Sequence, residues 1–230
     1  RSVAVQQDGK IVVAGDTSYT DQRLIVVRYN TDGSLDTSFD GDGIISTYIA
    51  SNAAAGHSVV IQPNGKLVVG GWASNSFNKD FALVRFNTDG SFDASFDNDG
   101  QVTTLITNGD DVGTSLALAP DGKLVFAGHA YAANQDFAIA RYNANGNLDL
   151  SFNNNGFTTT AFGSDRDVGK SVALQADGGM VVAGFTDIDY YDGGIAIARY
   201  RTTCATATPT FTPTATSMPT TPHTTVISAN

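Results

Sequence analysis

Apolar residues arrive along this chain in short, nearly unbroken runs that stop at a glycine or a polar turn. Ile11-Val12-Val13-Ala14 and Leu24-Ile25-Val26-Val27 are the first two, and similar runs return through the first 200 residues. Short runs rich in β-branched side chains predict strands buried on both faces. Another segment of each cycle, as in "QVTTLIT" from Gln101 and "FTTTAF" from Phe157, is richer in threonine and predicts a strand near a wetter outer edge. Asn-Gly or Asp-Gly occurs thirteen times, mostly at matching places between the runs. Such pairs supply the positive φ that tight hairpins need.

The cycle is an internal repeat. "SVAVQQDGKIVVAG" from Ser2, "SVVIQPNGKLVVGG" from Ser58, "SLALAPDGKLVFAG" from Ser115 and "SVALQADGGMVVAG" from Ser171 align without gaps, at spacings of 56, 57 and 56 residues. A second block follows each: "LIVVRYNTDGSLDTSFDGDG", "FALVRFNTDGSFDASFDNDG", "FAIARYNANGNLDLSFNNNG" and a last copy, "IAIARY", that stops at Tyr200. In the second copy the predicted strands fall at 58–62, 66–70, 81–87 and 101–106. Four-stranded units with doubly covered strands and one wet rim describe the blades of a β-propeller, whereas stacked solenoids usually have shorter repeats. The predicted fold is therefore all-β, a β-propeller of about four blades. Its repeats are residues 2–57, 58–114, 115–170 and an incomplete 171–200, followed by a Thr/Pro-rich tail at 201–230.

The segments "IQPNGKLVVGG" and "DFALVRFNTDGSFDASFDNDG" resemble the delta-60 repeat, a bacterial β-propeller family of unknown function. The resemblance covers residues 1–200. It implies a propeller, and usually a secreted or surface-displayed protein; it implies no reaction.

Composition sharpens this reading. All 23 acidic residues are Asp, which favours turns, and there is no Glu, which favours helix interiors. The net charge of −10, with only 13 Lys and Arg and no basic cluster, argues against nucleic acid as a partner. No apolar run approaches the roughly 20 residues that a membrane-spanning helix needs, so no membrane insertion is expected. Cys204, the single cysteine, cannot form an internal disulfide. The chain starts at Arg1, one residue before a repeat, and reads as a processed product or part of a longer chain.

Candidate chemistry is sparse. The turns "FDGDG" and "FDNDG" resemble the start of a calcium loop, but the third copy is "FNNNG" and the EF-hand spacing is absent, so turn chemistry is the expectation. Arg28, Arg85, Arg141 and Arg199 recur in the third strand, and Asp36, Asp93 and Asp149 recur after it. They read as scaffold pairs, with an anion-binding ring of arginines as the alternative. His57, His129 and His223 are isolated, which does not fit a zinc site, and no G-x-S-x-G supports a Ser-His-Asp triad, which the sequence leaves open. No catalytic residue, metal or cofactor is expected. Trp72, Tyr131, Tyr190 and Tyr191 fall after the second strand, where exposed rings could stack on sugars or pack against neighbours.

The tail carries twelve threonines and four prolines in 30 residues. Such a composition does not fold alone and resembles O-glycosylated stalks. Thr206, Thr208, Thr210, Thr212, Thr214, Thr216, Thr220 and Thr221 are the candidate sites. "TTVIS" from Thr224 resembles the strand missing from the fourth repeat. The expectation is an extracellular structural protein that self-assembles as this strand docks on a neighbouring copy, with Val226 and Ile227 as apolar contacts and Phe211 as an anchor. The alternative is a monomeric surface module that binds glycans or proteins.

Overall fold

The structure, a computed structural model, describes residues 1–17, 21–50, 52–75, 77–163, 165–189, 192–201 and 224–228. Among them there is no helix; sixteen strands form four sheets of four. Blade 1 holds β1 (Ser2–Val5), β2 (Ile11–Asp16), β3 (Leu24–Tyr29) and β4 (Ile44–Thr47). Blade 2 holds β5 (Ala54–Ile61), β6 (Leu67–Ser74), β7 (Lys79–Phe86) and β8 (Gln101–Thr104). Blade 3 holds β9 (Asp111–Leu118), β10 (Leu124–Tyr131), β11 (Gln135–Tyr142) and β12 (Phe157–Thr160). Blade 4 holds β13 (Asp167–Leu174), β14 (Met180–Asp189), β15 (Asp192–Tyr200) and β16 (Thr224–Ser228). In every blade the strands pair in chain order. The first strands pack beside one another in sequence, from β1 to β5 to β9 to β13, and the short fourth strands form the outer edges.

The hairpins follow from their turn residues. The backbone N–H of Lys10, Lys66 and Lys123 donates to Asp8, Asn64 and Asp121 Oδ1, each at 3.1 Å, and Gly9, Gly65 and Gly122 take φ of 84°, 80° and 83°. The first strands start earlier than the repeat alignment predicts. A bulge between Gly56 and Ser58 lets β5 continue back to Ala54, and β9 and β13 have irregularities nearby. The bulge explains the glycine that closes the second, third and fourth repeat segments. A Cβ on Gly71, Gly128 or Gly184 would lie 1.8, 2.0 or 2.0 Å from the carbonyl oxygen of Ala55, Val112 or Val168.

The core is three clusters, each between two blades. Val12, Leu24 and Val26 of blade 1 cluster with Val59, Leu67 and Val84 of blade 2. Val68, Phe81 and Leu83 of blade 2 cluster with Leu116, Leu124 and Phe126 of blade 3, with Phe81 and Phe126 ring centroids 4.9 Å apart. Val125, Phe137 and Ile139 of blade 3 cluster with Val172, Met180 and Val182 of blade 4. Among the described residues no such cluster joins blade 4 to blade 1. Burial on both faces, expected for all four repeats, therefore holds for Leu67–Ala73 and Leu124–Ala130 in the middle blades. In blade 1, β2 and β3 bury alternate residues only, because among the described residues no blade packs on their second face.

β16 completes blade 4 from within the same chain. It pairs with β15 in parallel, Ile197 opposite Val226 and Ala198 opposite Ile227. The sequence reading places this strand on a neighbour; here the chain's own open edge takes it. β4, β8 and β12, by contrast, each pair antiparallel with the third strand of their blade.

Candidate functional site

The recurring charges form one construction in each of the first three blades. Asp93 Oδ2 accepts from Arg85 Nε at 2.5 Å and Lys66 Nζ at 2.7 Å. Its Oδ1 accepts from Ser95 N at 3.1 Å and Ser95 Oγ at 2.8 Å. Asp36 gathers Arg28, Lys10 and Ser38 in the same way. Asp149 gathers Arg141, Lys123 and Ser151. The arginines lie over Phe39, Phe96 and Phe152, at 4.3, 4.6 and 5.2 Å from the ring centroids. Lys10 and Ser38 hold the Asp36 carboxyl well below the usual carboxylate range. For Asp93 and Asp149 burial pushes the carboxyl up, but the lysine, serine and arginine contacts outweigh it and hold it equally low.

The lysines were not among the residues singled out by sequence, although the signal was there. Repeats 1 to 3 have Lys after Asx-Gly; repeat 4 has Gly179, and it also lacks the Asp. Arg199 turns instead to Gln175 Oε1, at 2.6 Å, and to Asp177 Oδ2, at 2.5 Å. An anion-binding ring of four arginines does not fit this geometry, since the first three are buried against carboxylates.

The same construction reaches into the next blade. Arg28 Nη1 donates to Thr88 O, and Arg85 Nη1 to Ala144 O, both at 2.6 Å. Near the axis a serine accepts an N–H from the following blade: Val59 N to Ser2 Oγ at 3.2 Å, Leu116 N to Ser58 Oγ at 3.0 Å, and Val172 N to Ser115 Oγ at 3.1 Å. Each interblade contact is thus an apolar cluster with polar bonds that set its register.

The other candidates stand apart. Asp42, Asp99 and Asn155 each accept a backbone N–H two residues on, from Ile44 and Gln101 at 2.8 Å and Phe157 at 3.2 Å. Asp and Asn thus do the same work in the "DGDG", "DNDG" and "NNNG" turns. Among the described residues, no three His, Cys or Asp side chains gather where they could hold a metal ion. His57 Nδ1 lies 2.8 Å from Gly113 O. Burial lowers the His129 pKa to about 4, helped by Lys170 and Arg166, and Nδ1 has no hydrogen-bond partner. Trp72 is buried, which fits packing against neighbours rather than stacking on a sugar, because β6 runs on to Ser74 and pairs Trp72 with Phe81. Tyr131 is exposed beside Asn108, Gly109 and Ala132, in a cleft of ≈ 410 Å³. Tyr190, Tyr191, His223, Cys204, Phe211 and the eight candidate glycosylation threonines lie outside the described residues. Asp111 and Asp167, missed by sequence, close the loops that enter blades 3 and 4. Asp111 accepts from Ile106 N and Thr107 N at 2.8 and 2.9 Å, and Asp167 from Phe162 N at 2.7 Å.

Comparison with known proteins places this architecture. No curated protein matches the sequence. Among solved structures, a periplasmic gluconolactonase from Pseudomonas aeruginosa is 16% identical, with a TM-score of 0.49, over 86% of this chain and 56% of its own. A streptogramin B lyase is 10% identical, with a TM-score of 0.46, over 85% and 53%. A Bacteroides caccae protein of unknown function is 11% identical, with a TM-score of 0.45, over 83% and 57%. The chain spans little more than half the length of each. Residues 6–39, 62–96 and 119–152 match the model described as "Domain of unknown function (DUF5122) beta-propeller". One segment in each of the first three repeats thus matches a family of β-propeller repeats whose function is unknown.

Proposed function

We propose that this chain is a non-enzymatic structural protein of the cell exterior, a subunit that self-assembles into a surface polymer. The observation that carries the reading is the scaffold role of the recurring charged residues: in three blades Arg, Lys and Asp pair with one another. Val3 and Val5 on blade 1 and Ile195 on blade 4 are exposed apolar residues that a second copy could cover. The Thr/Pro tail has the composition of extracellular stalks. Fractionation and electron microscopy of the source cells test the reading. The expected result is high-mass material at the cell surface; monomeric protein confined to the cytoplasm refutes it.

A second reading rests on Tyr131. Its exposed ring in the cleft beside Asn108 offers a face on which a sugar could stack, as in a glycan-binding module. Saturable glycan binding that is lost in Tyr131→Ala would favour it over assembly.

A further inference from the structure

The seam between blades 2 and 3 opens between two exposed aromatic residues. Phe77 is 98% exposed and Tyr131 45%. Their segments meet at Asn108, whose carbonyl oxygen accepts from Asn78 Nδ2 at 2.8 Å and which lines the cleft beside Tyr131. A second bond ties the same segments, from Lys79 N to Asp110 Oδ1 at 3.0 Å. Both rings stand on fixed backbone. Asn75 Oδ1 accepts the N–H groups of Phe77 and Asn78, each at 3.1 Å, in a turn that presents the Phe77 ring to solvent. Tyr131 N donates to Asp110 O at 3.0 Å. Gly109 lets this loop lie against the strand, since a Cβ there would stand 2.1 Å from Tyr131 O. The cleft is therefore formed before any ligand arrives.

Charge narrows the ligand. The charged residues in segments 75–80 and 105–111 are Lys79, Asp80, Asp110 and Asp111. Lys79 turns away onto Trp72, its Nζ 4.6 Å from the ring centroid. Asp80 lies close enough to Asp110 and Asp111 for the carboxylates to repel one another. A carboxylated or sulfated ligand meets the same repulsion. What the site offers is two apolar ring faces and the exposed amide of Asn108 where their segments join. An uncharged sugar chain has the matching chemistry, C–H faces that stack on aromatic rings and hydroxyls that bond to an amide.

We propose that this entry to the blade 2–3 seam binds an uncharged oligosaccharide, with one sugar stacked on Tyr131, another further along the same chain on Phe77, and Asn108 bonded to the hydroxyls. The proposal deepens the glycan-binding reading and rests on it. It adds a second ring, Phe77, and a charge class for the ligand, and it uses residues of blades 2 and 3 alone.

Calorimetric titration of the full chain tests it, with hexasaccharides of glucose, mannose and N-acetylglucosamine, and a galacturonic acid hexamer as the anionic probe. The proposal expects saturable binding of at least one uncharged hexamer, roughly tenfold weaker or more in Phe77→Ala and in Tyr131→Ala, and restored by Phe77→Trp. Phe77 stands in solvent, so Phe77→Ala leaves the urea midpoint unchanged. The galacturonic acid hexamer binds more weakly than the uncharged one by roughly tenfold or more. Binding that falls in Tyr131→Ala but not in Phe77→Ala overturns the two-ring site and leaves the glycan reading standing. Tighter binding of the anionic hexamer also overturns the proposal. If none of the hexamers binds, the proposal and the glycan reading fall together.

Discussion

Replacing Asp93 with alanine removes the acceptor on which four hydrogen bonds converge. Two come from charged groups, Arg85 at 2.5 Å and Lys66 at 2.7 Å, and two from Ser95. Arg85 is buried over Phe96 and cannot reach water without unpacking the blade 2–3 interface. Removing one partner from a buried ion pair costs about 3–5 kcal/mol, because the other charge is left uncompensated. Lys66 is partly exposed, so Lys66→Met falls within the range of surface pairs, below about 1 kcal/mol. With a urea m-value of about 2–3 kcal/mol/M, Asp93→Ala lowers the unfolding midpoint by about 1–2 M at pH 7. The sign of the pH effect follows from the depressed carboxyl. Its stabilisation is complete above the unfolded-state value of about 4 and is lost as pH falls through the lower folded-state value. The gap between wild type and Asp93→Ala therefore stays level from pH 7 to about 5 and narrows below about 4. A midpoint shift under about 0.3 M at pH 7, or a gap of equal size at pH 7 and about pH 2.5, would refute the reasoning.

Three further outcomes are expected. Gly128→Ala forces a Cβ to 2.0 Å from Val112 O and destabilises by about 3 kcal/mol, whereas Gly33→Ala, with open space but φ of 86°, loses only about 1 kcal/mol in the same urea titration. His129 is held neutral, with its pKa lowered to about 4; its share of the stability is therefore full above about pH 6.5 and is lost as pH falls toward 4, and His129→Gln flattens the stability–pH slope there by up to one proton. Intact-mass measurement of protein from its natural source exceeds the bare 24.0 kDa by hexose-sized steps, and a bare mass removes the glycosylation reading.

The strands and turns were legible because each repeat states them again: the Asx-Gly pairs stand where the hairpins stand, and the apolar runs where the strands stand. Trp72 was misplaced because the sequence alignment ends the second strand near Gly70, while the bulge opposite lets β6 run on. The uncovered faces were hidden for a different reason. "KIVVAG" in blade 1 is nearly the same string as "KLVVGG" in blade 2, yet Val13 is half-buried and Val69 fully buried. A terminal blade carries the sequence of a middle blade, and exposure is decided by whether a neighbour is there. The lysines of the Asp ladders lay in plain view, but their role shows only in the joint loss of Lys and Asp from the fourth copy.

Sedimentation equilibrium of the full chain over a wide concentration range tests the central claim most directly. If the chain is a self-assembling subunit, the weight-average mass rises with concentration from 24.0 kDa toward its multiples. A single species of 24.0 kDa at every concentration would contradict it.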